Sequence, residues 1–329
     1  MANRRHFLRL STGAAAALIT QGVTSGGDHA LKRSIRRARA LGTEVEITVF
    51  HPDEAVADRA IDAALKEIEQ VEQLMSLFRA DSQLSRLNRR GVLRHPHPDL
   101  VAALTYCSEL SSITQGAFDV TMQPLWKLYA DHADTGSLPT EAELAKVRKR
   151  LGWQHLRIEP DLISFDRAGM QISLNGVAQG LAADRARKAM KQQGIEHALI
   201  DAGELNAMGS PEHRDRWHIA VKHPRQPGSI AKTSLQNRCL STSGDYATRF
   251  SDDYRHHHLL DPRTGRSPTQ LASVSVAAPS ALEADALSTA LFILVTDEAE
   301  KLVDAMNGVD ALFVTKAGEV IRTKGFDLI

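Results

Sequence analysis

Apolar residues recur along this chain with two different periods, and the switches between them outline its elements. Over 43–50, Val45, Ile47 and Val49 alternate with polar neighbours, the mark of a strand with one buried face. Pro52-Asp53 then opens a segment in which Ile61, Ala64, Leu65, Ile68, Val71, Met75 and Phe78 keep three-and-four spacing, which predicts a long amphipathic helix reaching Phe78. A second helix is predicted over 98–113. Residues 135–155 are charged, contain Pro139, and read as a short helical excursion between two lobes. Beyond it the pattern predicts a helix over 177–193 closed by Gly194, a short strand over 197–201, and strands around Trp217/Ile219/Val221 and Val274/Val276. Helices over 280–295 and 297–306 follow. A final hairpin has arms Leu312-Phe313-Val314 and Val320-Ile321 around Lys316-Ala317-Gly318-Glu319. Strands and helices intermix without regular βαβ repetition, so the fold class is α+β.

Length and charge narrow the function. At 329 residues the chain can bury one large core or two joined ones. Lys+Arg and Asp+Glu both total 40, and this balance argues against a nucleic-acid binder, which carries a basic excess or stripe. A neutral chain can still hold a phosphate ligand through a local metal or a helix N-terminus. Cys107 and Cys239 sit in apolar patterns and read as buried thiols rather than a disulfide framework. The N-terminus departs from the rest: Arg4-Arg5 precede a mildly apolar run over 11–23, broken by Thr12, Thr20, Gln21 and Gly22. A membrane span needs about 20 apolar residues, and this run falls short. It resembles a twin-arginine export signal. The expected organisation is a signal segment over 1–35, then one domain of two lobes over 36–329, joined near 135–155, with ordered structure starting near Ala40. Export of this kind implies a periplasmic location.

Four segments could carry chemistry. In Ser280-Ala281-Leu282-Glu283-Ala284-Asp285-Ala286-Leu287-Ser288-Thr289, Ser280 and Glu283 form a capping-box pattern that starts a helix. Asp285 and Thr289 then share one face a turn apart. Their hard oxygen donors suit Mg²⁺, although a solvated helix face has the same spacing. In His256-His257-His258-Leu259-Leu260-Asp261-Pro262-Arg263-Thr264-Gly265, a tight turn follows His258, a candidate general base. Consecutive histidines on an extended chain point to opposite sides, which disfavours zinc. Ser173-Leu174-Asn175-Gly176-Val177-Ala178-Gln179-Gly180 places small residues at a helix start, where backbone can approach a phosphate. It is neither a dinucleotide fingerprint nor a P-loop. Gly116-Ala117-Phe118-Asp119-Val120-Thr121 sets an aromatic, a carboxylate and a hydroxyl on an extended stretch, suited to a heterocycle or to a buried turn.

Taken in order, these segments resemble the ApbE family, the FAD:protein FMN transferases. The resemblance runs through Leu41-Gly42-Thr43, Ser82-Gln83-Leu84-Ser85-Arg86-Leu87-Asn88, Gly116 to Thr121, Gly176 to Gly180, Ala202-Gly203, Ser241-Thr242-Ser243-Gly244, His258 to Gly265, and Ala284-Asp285-Ala286 with Thr289-Ala290. It implies a T-fold-like arrangement of mixed, largely antiparallel sheets with packed helices. It also implies Mg²⁺-dependent transfer of FMN from FAD to a Thr or Ser hydroxyl of an acceptor protein, with release of AMP. Carried over, Asp285, Thr289 and the carbonyl of Gly176 hold the metal, and His258 accepts the acceptor's proton. Leu41, Phe78, Ala117, Phe118, Asp119, Gln179 and Leu260 contact FAD, with Phe78 stacking on a ring and Asp119 hydrogen-bonding the ligand. For an exported member the expected acceptor is a membrane-bound electron-transfer protein.

The chain departs from the family pattern at three places. Ser173 and Gln179 stand where Asp-Leu-Gly-Gly-Ile-Ala-Lys-Gly has an acid and a lysine, and Ala202-Gly203-Glu204-Leu205 stands for Ala-Gly-Gly-Asp. Two other readings stay open on these residues: hydrolysis of FAD to FMN and AMP, and a periplasmic protein that binds FAD without chemistry.

Overall fold

The computed structural model describes residues 15–17, 31–211 and 216–329. The paired arginines and most of the predicted leader lie outside them. Along the chain run β1 (Ala15–Ala17), β2 (Lys32–Ala40), β3 (Thr43–His51), α1 (Glu54–Met75), α2 (Gln83–Arg90), β4 (Val92–Arg94), α3 (Pro98–Ile113), α4 (Gln123–Ala133) and α5 (Glu141–Arg148). Then follow β5 (Leu156–Glu159), β6 (Leu162–Phe165), α6 (Ala178–Gln192), β7 (His197–Asp201), β8 (Leu205–Met208), β9 (Trp217–Lys222), β10 (Ser229–Leu235) and β11 (Cys239–Gly244). The chain closes with β12 (Leu271–Ala278), α7 (Ala281–Ile293), α8 (Thr296–Asp304), β13 (Asp310–Thr315) and β14 (Val320–Arg322).

Period-two burial builds an eight-stranded sheet in the order β14-β13-β12-β11-β8-β7-β3-β2, with every pairing antiparallel. The fold is α+β, as the mixed pattern of elements implied. One face of the sheet presents Val45, Ile47, Ala198, Ile200, Val274, Val276 and Phe313 to the main core, which it shares with α1, α6 and α7. The alternate residues Leu199, Leu205, Leu240, Ala277 and Leu312 face the other way, where Trp217, Ile219 and Val221 of β9 cover them. A small sheet, β4-β6-β5, and a cluster of Leu125, Tyr129, Leu144, Val147, Leu151 and Leu260 carry the segment between α3 and α6. Within the charged segment over 135–155, α5 is started by a reciprocal capping box between Thr140 and Glu143. Strand β4 pairs with β6, so the chain before and after that excursion shares one sheet.

Two boundaries differ from the sequence pattern. Strand β2 begins at Lys32, ahead of the start expected near Ala40, because it is an edge strand whose basic residues, among them Arg33, Arg37 and Arg39, leave no apolar alternation to read. Helix α1 stops at Met75, where the backbone of Ser76 turns extended. The Ser76 hydroxyl accepts from the N–H groups of Phe78 and Arg79, at 3.1 and 3.2 Å. Phe78 therefore leaves the helix and is 58% exposed. Cys107 and Cys239 are both buried free thiols.

Candidate active site

Between the helical layer, the β2–β3 turn and the loop over 245–270 lies a cavity of about 800 Å³, the scale of small-molecule and cofactor sites. The motif segments, far apart in sequence, converge on it. The proposed metal residues Gly176, Asp285 and Thr289 line it together with His258. So do Leu41, Phe78, Ala117, Phe118, Asp119, Gln179 and Leu260. A neighbouring cleft of about 960 Å³, rimmed by Arg90, Lys146, Arg150 and Arg167, contains none of these residues.

The acidic end of the cavity is set by the start of α7. Ser280 Oγ accepts the Glu283 N–H at 3.2 Å, while the Asp184 carboxylate of α6 accepts the N–H groups of Ala281 and Leu282 at 2.9 and 3.0 Å. Asp184 thus ties α6 to the first turn of α7. Gly180 sits where the two helices meet, and its N–H donates to Asp285 Oδ2 at 3.1 Å. Helix α7 is apolar and buried on every side, with Ala284, Ala286, Leu287, Ala290 and Leu291 fully covered. Asp285 is itself buried and aimed into the cavity, so the solvated-face reading falls. One turn on, Thr289 Oγ1 lies 3.3 Å from Ser243 Oγ. The backbone of Gly176 presses against this hydroxyl: a Cβ there would stand 3.1 Å from Thr289 Oγ1.

Burial raises Asp285 above the ordinary carboxylate range, and no ion pair meets it among the described residues. Glu204 also lines the cavity and is also buried. Its carboxyl is pushed up first by burial and then by the charge of Asp285. These features fit a divalent cation taken by hard oxygens: a carboxylate without a cationic partner, a hydroxyl one turn away, and the close approach of the Gly176 backbone to that hydroxyl. Among the described residues no group of three or more His, Cys, Asp and Glu could hold a metal. His257 turns inward, its Nε2 3.0 Å from the Pro268 carbonyl, whereas His258 faces the cavity.

The opposite end is apolar. Leu41 and Gly42 form the two-residue β2–β3 turn, with φ of 53° and 74°. Leu41 is thus held in a left-handed conformation costly for a leucine. The Phe78 ring stands open at the mouth. Asp119 has a use the sequence did not reveal. Its Oδ1 accepts from the Thr121 N–H and hydroxyl at 2.8 and 2.7 Å, and its Oδ2 from the Trp153 N–H at 3.1 Å. The carboxylate pins the cavity wall to the chain 34 residues on. Gln179 lays its amide against the 202–204 turn, where a Cβ on Gly203 would come within 2.6 Å of its Cδ.

His258 is fixed by backbone. Its N–H donates to the Thr248 carbonyl at 3.0 Å, and its ring Nδ1 lies 3.1 Å from the same oxygen. That contact makes Nδ1 the protonated nitrogen and leaves Nε2 with its lone pair free. Burial pushes the imidazole down to about 4, so it is neutral at physiological pH.

Comparison with known proteins extends these findings. A family model described as the ApbE family matches residues 41–313. A "FAD:protein FMN transferase" of Salmonella typhimurium is 31% identical over 316 residues, spanning 88% of this chain and 86% of that protein. Another of the same name from Treponema pallidum is 30% identical over 340 residues, spanning 93% of each. Among solved structures, the ApbE protein of Thermotoga maritima superposes with a TM-score of 0.80 at 28% identity, covering 89% of this chain and 97% of its own. The flavin transferase ApbE of Vibrio cholerae superposes with a TM-score of 0.79 at 26% identity, covering 90% and 98%.

Proposed function

Because the chain belongs to the ApbE family, we propose that it is an FAD:protein FMN transferase, which moves the FMN half of FAD onto a threonine or serine hydroxyl of an acceptor protein and releases AMP. The observation that carries this reading is the meeting, in one cavity, of the Asp285–Thr289 face with a neutral histidine whose free nitrogen is set by Thr248.

The chemistry needs a nucleophile relieved of its proton and a leaving group that can depart. The acceptor oxygen bonds to the FMN phosphorus, the phosphorus–oxygen bond to AMP breaks, and AMP departs with the electron pair. His258 Nε2 takes the hydroxyl proton. A base held near 4 is weak, but the negative diphosphate of a bound FAD would favour the imidazolium and raise its pKa. A magnesium ion held by Asp285, Thr289 and the Gly176 carbonyl would neutralise charge on the diphosphate oxygens. Leu41, Phe118 and Phe78 offer apolar contact and a stacking ring to the flavin end. Asp119 supports this wall through its bonds to Thr121 and Trp153.

Export through the paired arginines fits an enzyme that acts on membrane-bound electron-transfer proteins. Since β2 begins at Lys32, processing ahead of that residue would keep the edge strand whole. Incubating the purified protein with FAD, Mg²⁺ and a threonine-bearing acceptor should give a flavin-labelled acceptor and equimolar AMP, both lost with a chelator. AMP formed at the same rate without acceptor would instead support FAD hydrolysis, and no AMP under any condition would leave only a flavin binder.

A further inference from the structure

We propose that Glu204 is a second carboxylate ligand of the divalent cation, closing the acidic end of the cavity opposite Asp285. This deepens the reading of Asp285 and Thr289 as a cation site and rests on it.

The register of the sheet puts Glu204 there. Leu205 pairs with Leu240 and Asn206 with Cys239, so Glu204 comes level with Ser241, at the end of β8 nearest the cavity. Leu205 points to the far core, whereas Asn206 reaches Asp184 of α6 at 3.0 Å on the helical side. Alternation therefore sends Glu204 to the helical side as well, toward α7. The turn before it is tight: Gly203 has φ of 95°, and the Ala202 N–H donates to the Glu204 carbonyl at 3.2 Å.

The company Glu204 keeps is the second part of the argument. It is only 7% exposed, yet no ion pair involves it among the described residues. The only groups that favour its charged form are neutral, the Ser241 hydroxyl and the Thr242 N–H, and they leave the charge unbalanced. The side chain packed on its turn is Gln179, a neutral amide. Two carboxylates buried in one cavity without a cation are costly if both are ionised. A divalent ion taken between them removes that cost. A row of hydroxyls steadies the floor beneath: Ser241 and Ser243 lie 3.1 and 2.8 Å from Ser288 Oγ, and Ser243 reaches on to Thr289. Glu204 and Thr289 are thereby held to one network, one on the sheet and the other on α7.

The test measures metal alone, without FAD. Mn²⁺ affinity, read by electron paramagnetic resonance of the free ion, would be compared for the wild type, Glu204→Gln, Asp285→Asn and Thr289→Ala. Glu204→Gln keeps the shape and both hydrogen-bond donors' acceptor. It should weaken Mn²⁺ binding about 10–100-fold while metal-free melting stays the same or rises, since a buried charge is gone. Unchanged affinity in Glu204→Gln with a loss in Asp285→Asn overturns the assignment of Glu204 and leaves the cation site standing. Unchanged affinity in all three variants overturns the site itself. Weakening in Glu204→Gln accompanied by a fall in metal-free melting temperature, with Glu204→Asp failing to restore any affinity, makes the residue structural and overturns the proposal.

Discussion

The contact between α6 and α7 at Gly180 makes a sharp demand on the sequence. A Cβ at this position would lie 2.6 Å from the Ala281 carbonyl carbon and 2.7 Å from the Leu282 nitrogen, and closer still to the Ala281 carbonyl oxygen. These atoms are backbone and cannot rotate away. Asp184 also holds the same two residues by their N–H groups. Ordinary contact needs about 3.5 Å, so Gly180→Ala must part the helices by about 1 Å. Overpacking of this kind costs about 1–3 kcal/mol. The functional cost is larger, because the parting acts on the Gly180 N–H to Asp285 bond and moves Asp285 relative to Thr248 and His258 on the opposite wall. A misplacement of about 1 Å can cost about 100-fold in rate. Gly180→Ala should therefore melt a few degrees lower yet remain folded, and lose about two orders of magnitude in AMP release with FAD, Mg²⁺ and acceptor. Activity within twofold of wild type together with an unchanged melting temperature would refute the claim that this crossing positions the acid.

Four more outcomes follow from the site. His258→Gln should lower the transfer rate about 10²–10⁴-fold with FAD affinity by calorimetry unchanged; an equal loss of affinity would make the residue a binder instead of a base. Leu41→Asn gives the turn a residue suited to positive φ, and relief of about 1 kcal/mol offsets the lost apolar contact. Its melting temperature should hold while FAD binding weakens, and the reverse pattern would sink the idea. His257 is fully buried and pushed down to about 3, whereas the unfolded chain protonates this imidazole near the ordinary 6.5. The unfolded state binds more protons between those values, so this group's stability is complete above about 6.5 and lost as pH falls toward 3. By pH 4.5 the loss is about 3 kcal/mol. Urea unfolding of His257→Leu should show a shallower decline from pH 7 to 4.5 than wild type; parallel declines would refute the assignment. Metal and FAD should tighten each other by the same factor in calorimetry, and FAD binding indifferent to Mg²⁺ would contradict a shared site.

What the sequence disclosed followed from how local each signal is. Helices α1, α3 and α6 were legible because each buries a face within its own periodicity, and α7 was legible from its apolar run and from its cap at Ser280. Strand β2 was not, because an edge strand of alternating arginines has no buried face to mark it. The motif segments named the cavity's wall, but not what each wall residue does there. The commitment of Asp119 depends on Trp153, and that of Asp285 on Gly180, 105 residues away. Such partners are distant along the chain and meet only in the folded structure. Glu204 was visible merely as a departure from a pattern; its burial comes from strand register, which no local window records.

The three departures of this chain concern a single quantity, the charge around the cavity. Ser173 and Leu205 each remove an acid of the pattern and Gln179 a cation, while Glu204 adds an acid beside Asp285. A lysine at 179, as in the pattern, would bring a cation to the 202–204 turn against which Gln179 packs. Gln179 instead fills that space with a neutral amide. The acidic end is thus left for a cation to neutralise from the cavity side. A buried pair of like charges cannot persist ionised without one. On the proposed reading, an incoming diphosphate, itself negative, approaches Asp285 and Glu204 with a cation between them. On the proposed reading the substitutions leave the site active and move the task of balancing charge from a side chain to the metal.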